Sequence, residues 1–330
     1  MDKPAKYGVD IMKTKILAII IVIVLAIGVA GVAVWYSLYG TPETPSGSMS
    51  IIDDYDRNVT ITTYPPERIV CLAPSATEII FALDLEDKLV GVDDYAYYPE
   101  EMQEVIDSNN IAIVGKYMGM SAEDIVALNP DLIIAAMVSQ YDIIVNLANA
   151  GQTAMIIYPK NFTDVLDDIT LVGEATGKTE KAEAVVTDMQ NTAQEIANIT
   201  QNAERPTVYI EYSFYEGAYA TYGSGSFADE IITMAGGQNI FWDSPTAYTD
   251  VSSEQVITDN PDVIIIQEGA MSLAANLTVE TVKNRVGWDA ISAVQNDKIY
   301  TIEERLLLPG PAITQALEQI AEMLHPDLFN

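Results

Sequence analysis

The chain has 330 residues, 49% of them hydrophobic, enough to fill one large or two ordinary cores and too apolar for a disordered chain. Against 16 basic residues stand 48 acidic ones, and the formal net charge of −32 disfavours nucleic acid and anionic membrane surfaces as partners. The acids are scattered rather than blocked, so they read as a solvated surface.

Residues 16 to 40 carry no charge, and Ile16 to Val34 contains only Ile, Val, Leu, Ala and Gly. At about 1.5 Å per residue that run reaches across a hydrocarbon core of about 30 Å. A secretory signal has a shorter apolar region and ends at a small-residue cleavage box. Here bulky Trp35, Tyr36, Leu38 and Tyr39 follow, an interfacial aromatic belt, and Lys3, Lys6, Lys13 and Lys15 precede. The expectation is a retained single-pass anchor over residues 1–40, with the N-terminus in the cytoplasm and the rest outside the cell. Residues 41–52, rich in Thr, Pro, Ser and Gly, are expected to be a linker.

Short apolar runs then alternate with helical patterns. Strands are expected at Val59-Ile61, Ile69-Leu72, Leu89-Val92, Leu132-Ala135, Ala154-Ile157, Thr207-Ile210, Val263-Ile266 and Lys298-Thr301. Amphipathic segments between several of them argue for βα units in largely parallel sheets. The sole cysteine, Cys71, lies within the second run and reads as a small buried hydrophobe. It is neither a lipid attachment point beside the membrane segment nor half of an intrachain disulfide. Four Asn-x-Thr acceptors (Asn58, Asn161, Asn198, Asn276) all fall on the outer side of the anchor.

Internal repetition organises the rest. Ala122 to Ala135 (AEDIVALNPDLIIA) matches Ser253 to Ile266 (SEQVITDNPDVIII), each a short helix stopped by Asn-Pro-Asp that feeds a buried strand. Ala76 to Ile80 matches Ala228 to Ile232 in the same order, which points to two related lobes, residues 53–176 and 205–330. Between them Gly177 to Glu204 has apolar residues at helical spacing and no Gly or Pro after Gly177, as a long strut helix would.

Enzyme signatures are missing: no Gly-x-Gly-x-x-Gly, no Gly-x-x-x-x-Gly-Lys, no Gly-x-Ser-x-Gly. The single histidine, His325, precedes Pro326 and reads as a surface or helix-end residue. It supports neither a Ser-His-Asp triad nor histidine-rich metal capture. Aromatics instead gather in the loops expected at strand ends, with 18 tyrosines in all. Tyr95, Tyr97 and Tyr98 follow one strand, and Tyr117 and Met118 precede the first repeat helix. Tyr212, Phe214 and Tyr215 follow another strand, and Trp242 and Tyr248 precede the second repeat helix. Ligands of parallel α/β sheets bind beyond the carboxyl ends of strands, so two aromatic walls facing one another are expected.

From about Asp53 onward the chain resembles the iron-complex and cobalamin binding proteins of ABC importers. The resemblance rests on Pro66-Glu67-Arg68-Ile69-Val70, Ala73-Pro74-Ser75-Ala76-Thr77-Glu78, Leu89-Val90-Gly91-Val92 and Asn129-Pro130-Asp131-Leu132-Ile133-Ile134. Ala235-Gly236-Gly237-Gln238-Asn239-Ile240 and Leu308-Pro309-Gly310-Pro311 complete it. It implies an α/β fold of two Rossmann-like lobes joined by one long rigid helix, a monomer with no cofactor and no catalysis. The partners it implies are an ABC permease with its ATPase, docked through one acid per lobe, here Glu78 and Glu230. Asp84 departs from the family's usual Gly after the first-lobe helix. Arg305 is the one basic residue where a basic cluster would receive an anionic ferric chelate. The implied ligand is a metal complex (corrinoid, haem or ferric chelate), with a corrinoid or neutral iron chelate favoured. An extracellular sensor or adhesion module on the same fold is the alternative, and an extracellular hydrolase a more distant one.

Overall fold

The computed structural model describes residues 47–96, 100–115, 119–136 and 140–329. Among these no helix is long and apolar enough to cross a membrane. The expected anchor over residues 1–40 lies outside the described residues, as do Tyr97, Tyr98, Tyr117 and Met118.

Strands β1 (Gly47–Ile52) and β2 (Asn58–Tyr64) form a two-stranded sheet of their own. A strand thus begins inside the expected linker, because Ile51 pairs with a core that also buries Val59 and Ile61. Buried Asp53 organises the turn. Its carboxylate accepts the N–H groups of Tyr55, Arg57 and Ile156 at 3.1 Å each and is paired with the Arg57 guanidinium. The Ile156 bond docks the turn onto the first lobe.

That lobe has five parallel strands: β3 (Ile69–Cys71), β4 (Leu89–Val92), β5 (Ala112–Ile113), β6 (Leu132–Ala135) and β7 (Ala154–Ile156). They lie in the order β5-β4-β3-β6-β7, which leaves a switch point between β3 and β6. Parallel neighbours require crossovers, supplied by α1 (Pro74–Ala82), α2 (Glu100–Ser108), α3 (Ala122–Ala127) and α4 (Tyr141–Asn149). Asp84, where Gly is usual, holds the turn after α1 at φ 52° and pairs with Lys181 at 2.7 Å. Asp tolerates the left-handed region better than most side chains, so the turn survives the replacement.

Helix α5 (Phe162–Thr176) ends at Gly177, left-handed at φ 73°, and the strut α6 (Thr179–Thr200) follows. Its 22 residues span about 33 Å, and Ala182, Met189 and Ile196 bury one stripe at heptad spacing. The helix is shorter than the Gly177–Glu204 stretch that suggested it, because Gly177 and Lys178 serve the end of α5.

The second lobe has β8 (Thr207–Tyr215), β9 (Ala218–Tyr222), β10 (Gln238–Asn239), β11 (Tyr248–Val251), β12 (Val263–Glu268) and β13 (Ile299–Glu303). Their order is β11-β9-β8-β12-β13, with β10 beside β8. β8, β12 and β13 run parallel, while β9 and β11 are antiparallel additions. Helices α7 (Phe227–Met234), α8 (Ser253–Asp259) and α9 (Ile313–Leu324) pack on this sheet or the strut. His325 caps the carboxyl end of α9 and is buried there.

Side chains alternate between two cores along each central strand, as a pleated strand covered on both faces requires. Ile69, Cys71, Leu132 and Ile134 of the first lobe join Val208, Ile210, Val263 and Ile265 of the second in one continuous core that includes the strut. Val70, Leu72, Ile133 and Ala135 face a core private to the first lobe, and Tyr209, Ile264 and Ile266 one private to the second. The lobes therefore share a middle layer, and Ser48–Asn330 forms one compact unit.

The repeat has a physical basis. Asn129 and Asn260 both turn left-handed, at φ 47° and 46°, to end α3 and α8. Asp131 Oδ2 then accepts the N–H groups of Glu67 and Arg68 at 3.0 Å, just before β3. Asp262 Oδ2 accepts the N–H of Thr207 at 2.9 Å, where β8 begins. In each lobe Asn-Pro-Asp ends a helix and pins the start of the central strand.

Candidate functional site

The carboxyl ends of the parallel strands carry two tyrosine clusters, one on each lobe. On the first lobe Tyr55 sits 5.2 Å from Tyr141 and 6.1 Å from Tyr158, ring centre to ring centre. Tyr55 is placed by the Asp53 turn. Tyr141 opens α4 directly after Gln140, whose buried amide bonds the Leu72 carbonyl and the Ala136 N–H and so bridges the switch point. Tyr158 follows β7, its N–H donating to Asp54 Oδ2 at 2.5 Å. None of these three was expected from sequence. Tyr141 and Tyr158 obey the strand-end rule and were legible by it, whereas Tyr55 depends on a turn that no pattern announces.

On the second lobe Tyr212 lies 5.0 Å from Tyr222 and 6.3 Å from Tyr248, and Tyr222 lies 5.7 Å from Tyr248. The Tyr222 hydroxyl donates to the Gln267 side chain on β12. Burial pushes the Tyr212 phenol up to about 12, with Asp250 adding to it. Tyr248 is 66% exposed, and its phenol is raised by partial burial and then by the charge of Tyr158 of the other lobe.

Phe214 is not part of this wall. The register between β8 and β9 slips between Glu211 and Ser213, and the bulge sends Phe214 to the opposite face from Tyr212. There it stacks on Tyr219 at 4.8 Å and joins an aromatic box around Arg285, which lies 4.4 Å from the Tyr219 ring and 4.5 Å from Trp288. Arg285 grips buried Glu211 through two 2.7 Å bonds, a neutralised pair inside the lobe. Tyr215 donates to Asp250 at 2.6 Å, and Trp242 and Tyr95 are substantially exposed, at 57% and 47%.

The first lobe also buries carboxylates. Asp93, at the end of β4, is buried with Oδ2 unpartnered among the described residues, and burial raises it to about 6. Asp168 on α5 is 2% exposed. It sits against Asp54 beside a cavity of about 210 Å3 lined also by Tyr158, Lys160, Asp164 and Asp167. Burial first, then Asp54, lifts it to about 10, which favours its protonated form. A larger hollow of about 400 Å3 between α6 and α9 (Glu195, Ile196, Gln319, Phe329) shares no residue with the tyrosine clusters. Among the described residues no three His, Cys, Asp or Glu side chains converge on a metal position.

The residues expected on the docking surface are engaged inside the molecule. Glu78 is only 8% exposed, with Oε1 3.8 Å from Arg305 Nη1. Burial raises it to about 7 against the opposing pull of Arg305 and the Ala312 N–H. Half-buried Glu230 accepts the Phe162 N–H at 2.8 Å and is likewise raised by burial. Arg305, expected toward the ligand, is paired with Glu78 and with Glu303 at 3.7 Å. The repeat does place one exposed acid on each lobe at equivalent positions: Glu123 and Glu254, in the first turns of α3 and α8.

A family model described as periplasmic binding protein matches residues 69–306. A Bacillus subtilis protein described as an uncharacterized ABC transporter substrate-binding lipoprotein, YvrC, is 31% identical over 85% of this chain and 87% of its own. The crystal structure of the periplasmic vitamin B12 binding protein BtuF of Vibrio cholerae matches with a TM-score of 0.66 and 29% identity, covering 79% of this chain and 98% of that one. The periplasmic heme-binding protein RhuT from Roseiflexus matches with a TM-score of 0.70 and 26% identity, over 79% and 99%. The two solved relatives are named as binding proteins for vitamin B12 and for heme and share this fold. The chain belongs to the periplasmic binding protein family, the substrate-binding proteins of ABC importers for iron complexes and cobalamin.

Proposed function

We propose that the chain captures a neutral or cationic metal complex, of corrinoid or neutral iron-chelate type, between its tyrosine clusters and delivers it to an ABC permease outside the cell. The observation that carries this reading is the pair of tyrosine clusters, one on each lobe, with Tyr158 of the first beside a cavity lined by Asp54, Asp164 and Asp167. Tyrosines offer broad amphipathic faces with hydrogen-bonding edges, which suit a large, mostly uncharged ligand. An anionic chelate would meet Asp54, Asp164 and Asp167 beside Tyr158, while Arg305 is already paired with acids. No part of this reading calls for catalysis.

The retained N-terminal helix at residues 16–34 belongs to the same reading. Cys71 is fully buried in β3, so it is unavailable for a lipid like that of the Bacillus relative. Docking on the permease would use one exposed acid per lobe, and Glu123 and Glu254 fit that requirement better than Glu78 and Glu230. The visible absorption spectrum of protein purified from its native source tests the ligand, since corrinoids and haem are coloured. A corrinoid or ferric-chelate band at one equivalent per chain supports the reading, and a haem Soret band would replace it.

A further inference from the structure

We infer that Glu78 and Glu230 latch the two lobes together by an exchange, each carboxylate crossing to hold the amino end of a helix in the opposite lobe. Glu230, on α7 of the second lobe, binds the N–H of Phe162, the first residue of α5 in the first lobe. Glu78, on α1 of the first lobe, points Oε2 at Gly310 in the turn that leads to Ala312, the cap of α9 in the second lobe, and Oε1 lies 3.8 Å from Arg305 of that lobe. The two glutamates occupy equivalent places in the internal repeat, so the exchange is reciprocal. Both receiving helices pack on the strut, which places the latches on the strut side of the interlobe gap.

The exchange explains several features at once. A helix amino end presents unsatisfied N–H groups and partial positive charge, and a carboxylate there is held by both. Arg305 sets a cation from the second lobe against Glu78 as well. Gly310 in the Leu-Pro-Gly-Pro turn is small for a reason: a Cβ there would lie 2.6 Å from Glu78 Oε2. Glu78 is buried although the family resemblance places it on a docking surface, and Asn161 already caps α5 through its own side chain, so Glu230 adds a bond from outside the helix. With the shared core, the latches set the angle at which the cleft rests.

The inference rests on reading the interlobe gap as the ligand cleft, but its test needs no ligand. In the full chain, spin labels on Ser108→Cys and Gln295→Cys, both exposed and on opposite lobes, report the interlobe distance by pulsed electron resonance. Cys71 is buried and is the only native cysteine, so it does not compete for label. Glu78→Ala/Glu230→Ala should widen the distance distribution and shift its mean by several ångströms. Gly310→Ala, which leaves both glutamates present, should widen it too, and Glu230→Gln, which keeps an acceptor oxygen, should widen it less than Glu230→Ala. If the double alanine variant does not fold, Gly310→Ala against Glu230→Gln still decides. Distributions that overlay the parent in folded Gly310→Ala and Glu230→Ala would overturn the latch. An unbroken distribution leaves the ligand reading intact, and failure of every ligand to bind leaves the latch intact.

Discussion

In the first lobe Asp131, and in the second Asp262, binds the leading N–H of the central strand, and Asn129 and Asn260 end the preceding helices at nearly the same dihedral angle. The sheets built on these pins nonetheless differ. The first is wholly parallel, and its buried acids Asp93 and Asp168 each leave Oδ2 without a hydrogen-bond partner among the described residues. The second inserts the β8–β9 hairpin and β11, and its buried Glu211 is locked by Arg285. A repeated frame thus fixes lobe geometry while strand additions and loop chemistry are free to make unlike walls. On the proposed capture reading, ligand choice resides in the parts that do not repeat.

The largest expected asymmetry is in pH dependence. Asp168 has its pKa raised in the folded state, to about 10, so its contribution to stability is full below the unfolded carboxylate range and is lost as pH rises toward 10. Asp93 and Glu78 act in the same direction over narrower windows, ending near 6 and 7. Thermal unfolding should therefore fall steadily in midpoint from pH 5 to pH 8, Asp168 alone supplying on the order of 1 kcal/mol per pH unit. Asp168→Asn, which mimics the neutral acid, should flatten that slope. A midpoint that rises between pH 5 and pH 8 would show that these acids are ionised in the fold.

Next in size is the symmetry of the frame. Asp131→Ala and Asp262→Ala should each cost about 2–3 kcal/mol by denaturant titration, since each strands backbone N–H groups at a strand start. Markedly unequal losses would mean that the two pins are not equivalent. Smaller still, Tyr158→Ala and Tyr248→Ala should each weaken ligand binding about tenfold, roughly 1.4 kcal/mol, with little change in unfolding midpoint. Phe214→Ala, on the other face of the sheet, should do the reverse, lowering stability and sparing affinity. Glu123→Ala/Glu254→Ala should leave affinity unchanged while transport falls, and a loss of affinity would remove these residues from the docking surface.

The frame was legible because its signals are local. Buried strands at 69–72, 89–92, 132–135 and 263–266 are short apolar runs between turn residues, and the Asn-Pro-Asp repeat announces itself in a single chain. Val59-Ile61 announced β2, but β1, β9 and β11 were missed because they are half-exposed and are stabilised by partners remote in sequence, such as Asp53 with Ile156. The site was legible only in kind. Tyr212 and Tyr248 come together as an aromatic wall, but Phe214 leaves it through a one-residue bulge, and a bulge has no reliable signature in sequence. Glu78, Glu230 and Arg305 were identified as special residues, yet their partners lie in the opposite lobe, and that pairing is a property of tertiary geometry alone.

The most direct test of the capture reading is equilibrium titration of the full chain with cobalamin, a neutral ferric hydroxamate and an anionic ferric catecholate at low and high salt. The account predicts saturable binding of one neutral complex per chain, with affinity almost independent of salt and weakened by Tyr158→Ala and Tyr248→Ala alike. Tight binding of the anionic complex alone, fading as salt rises and indifferent to both tyrosines, would contradict it.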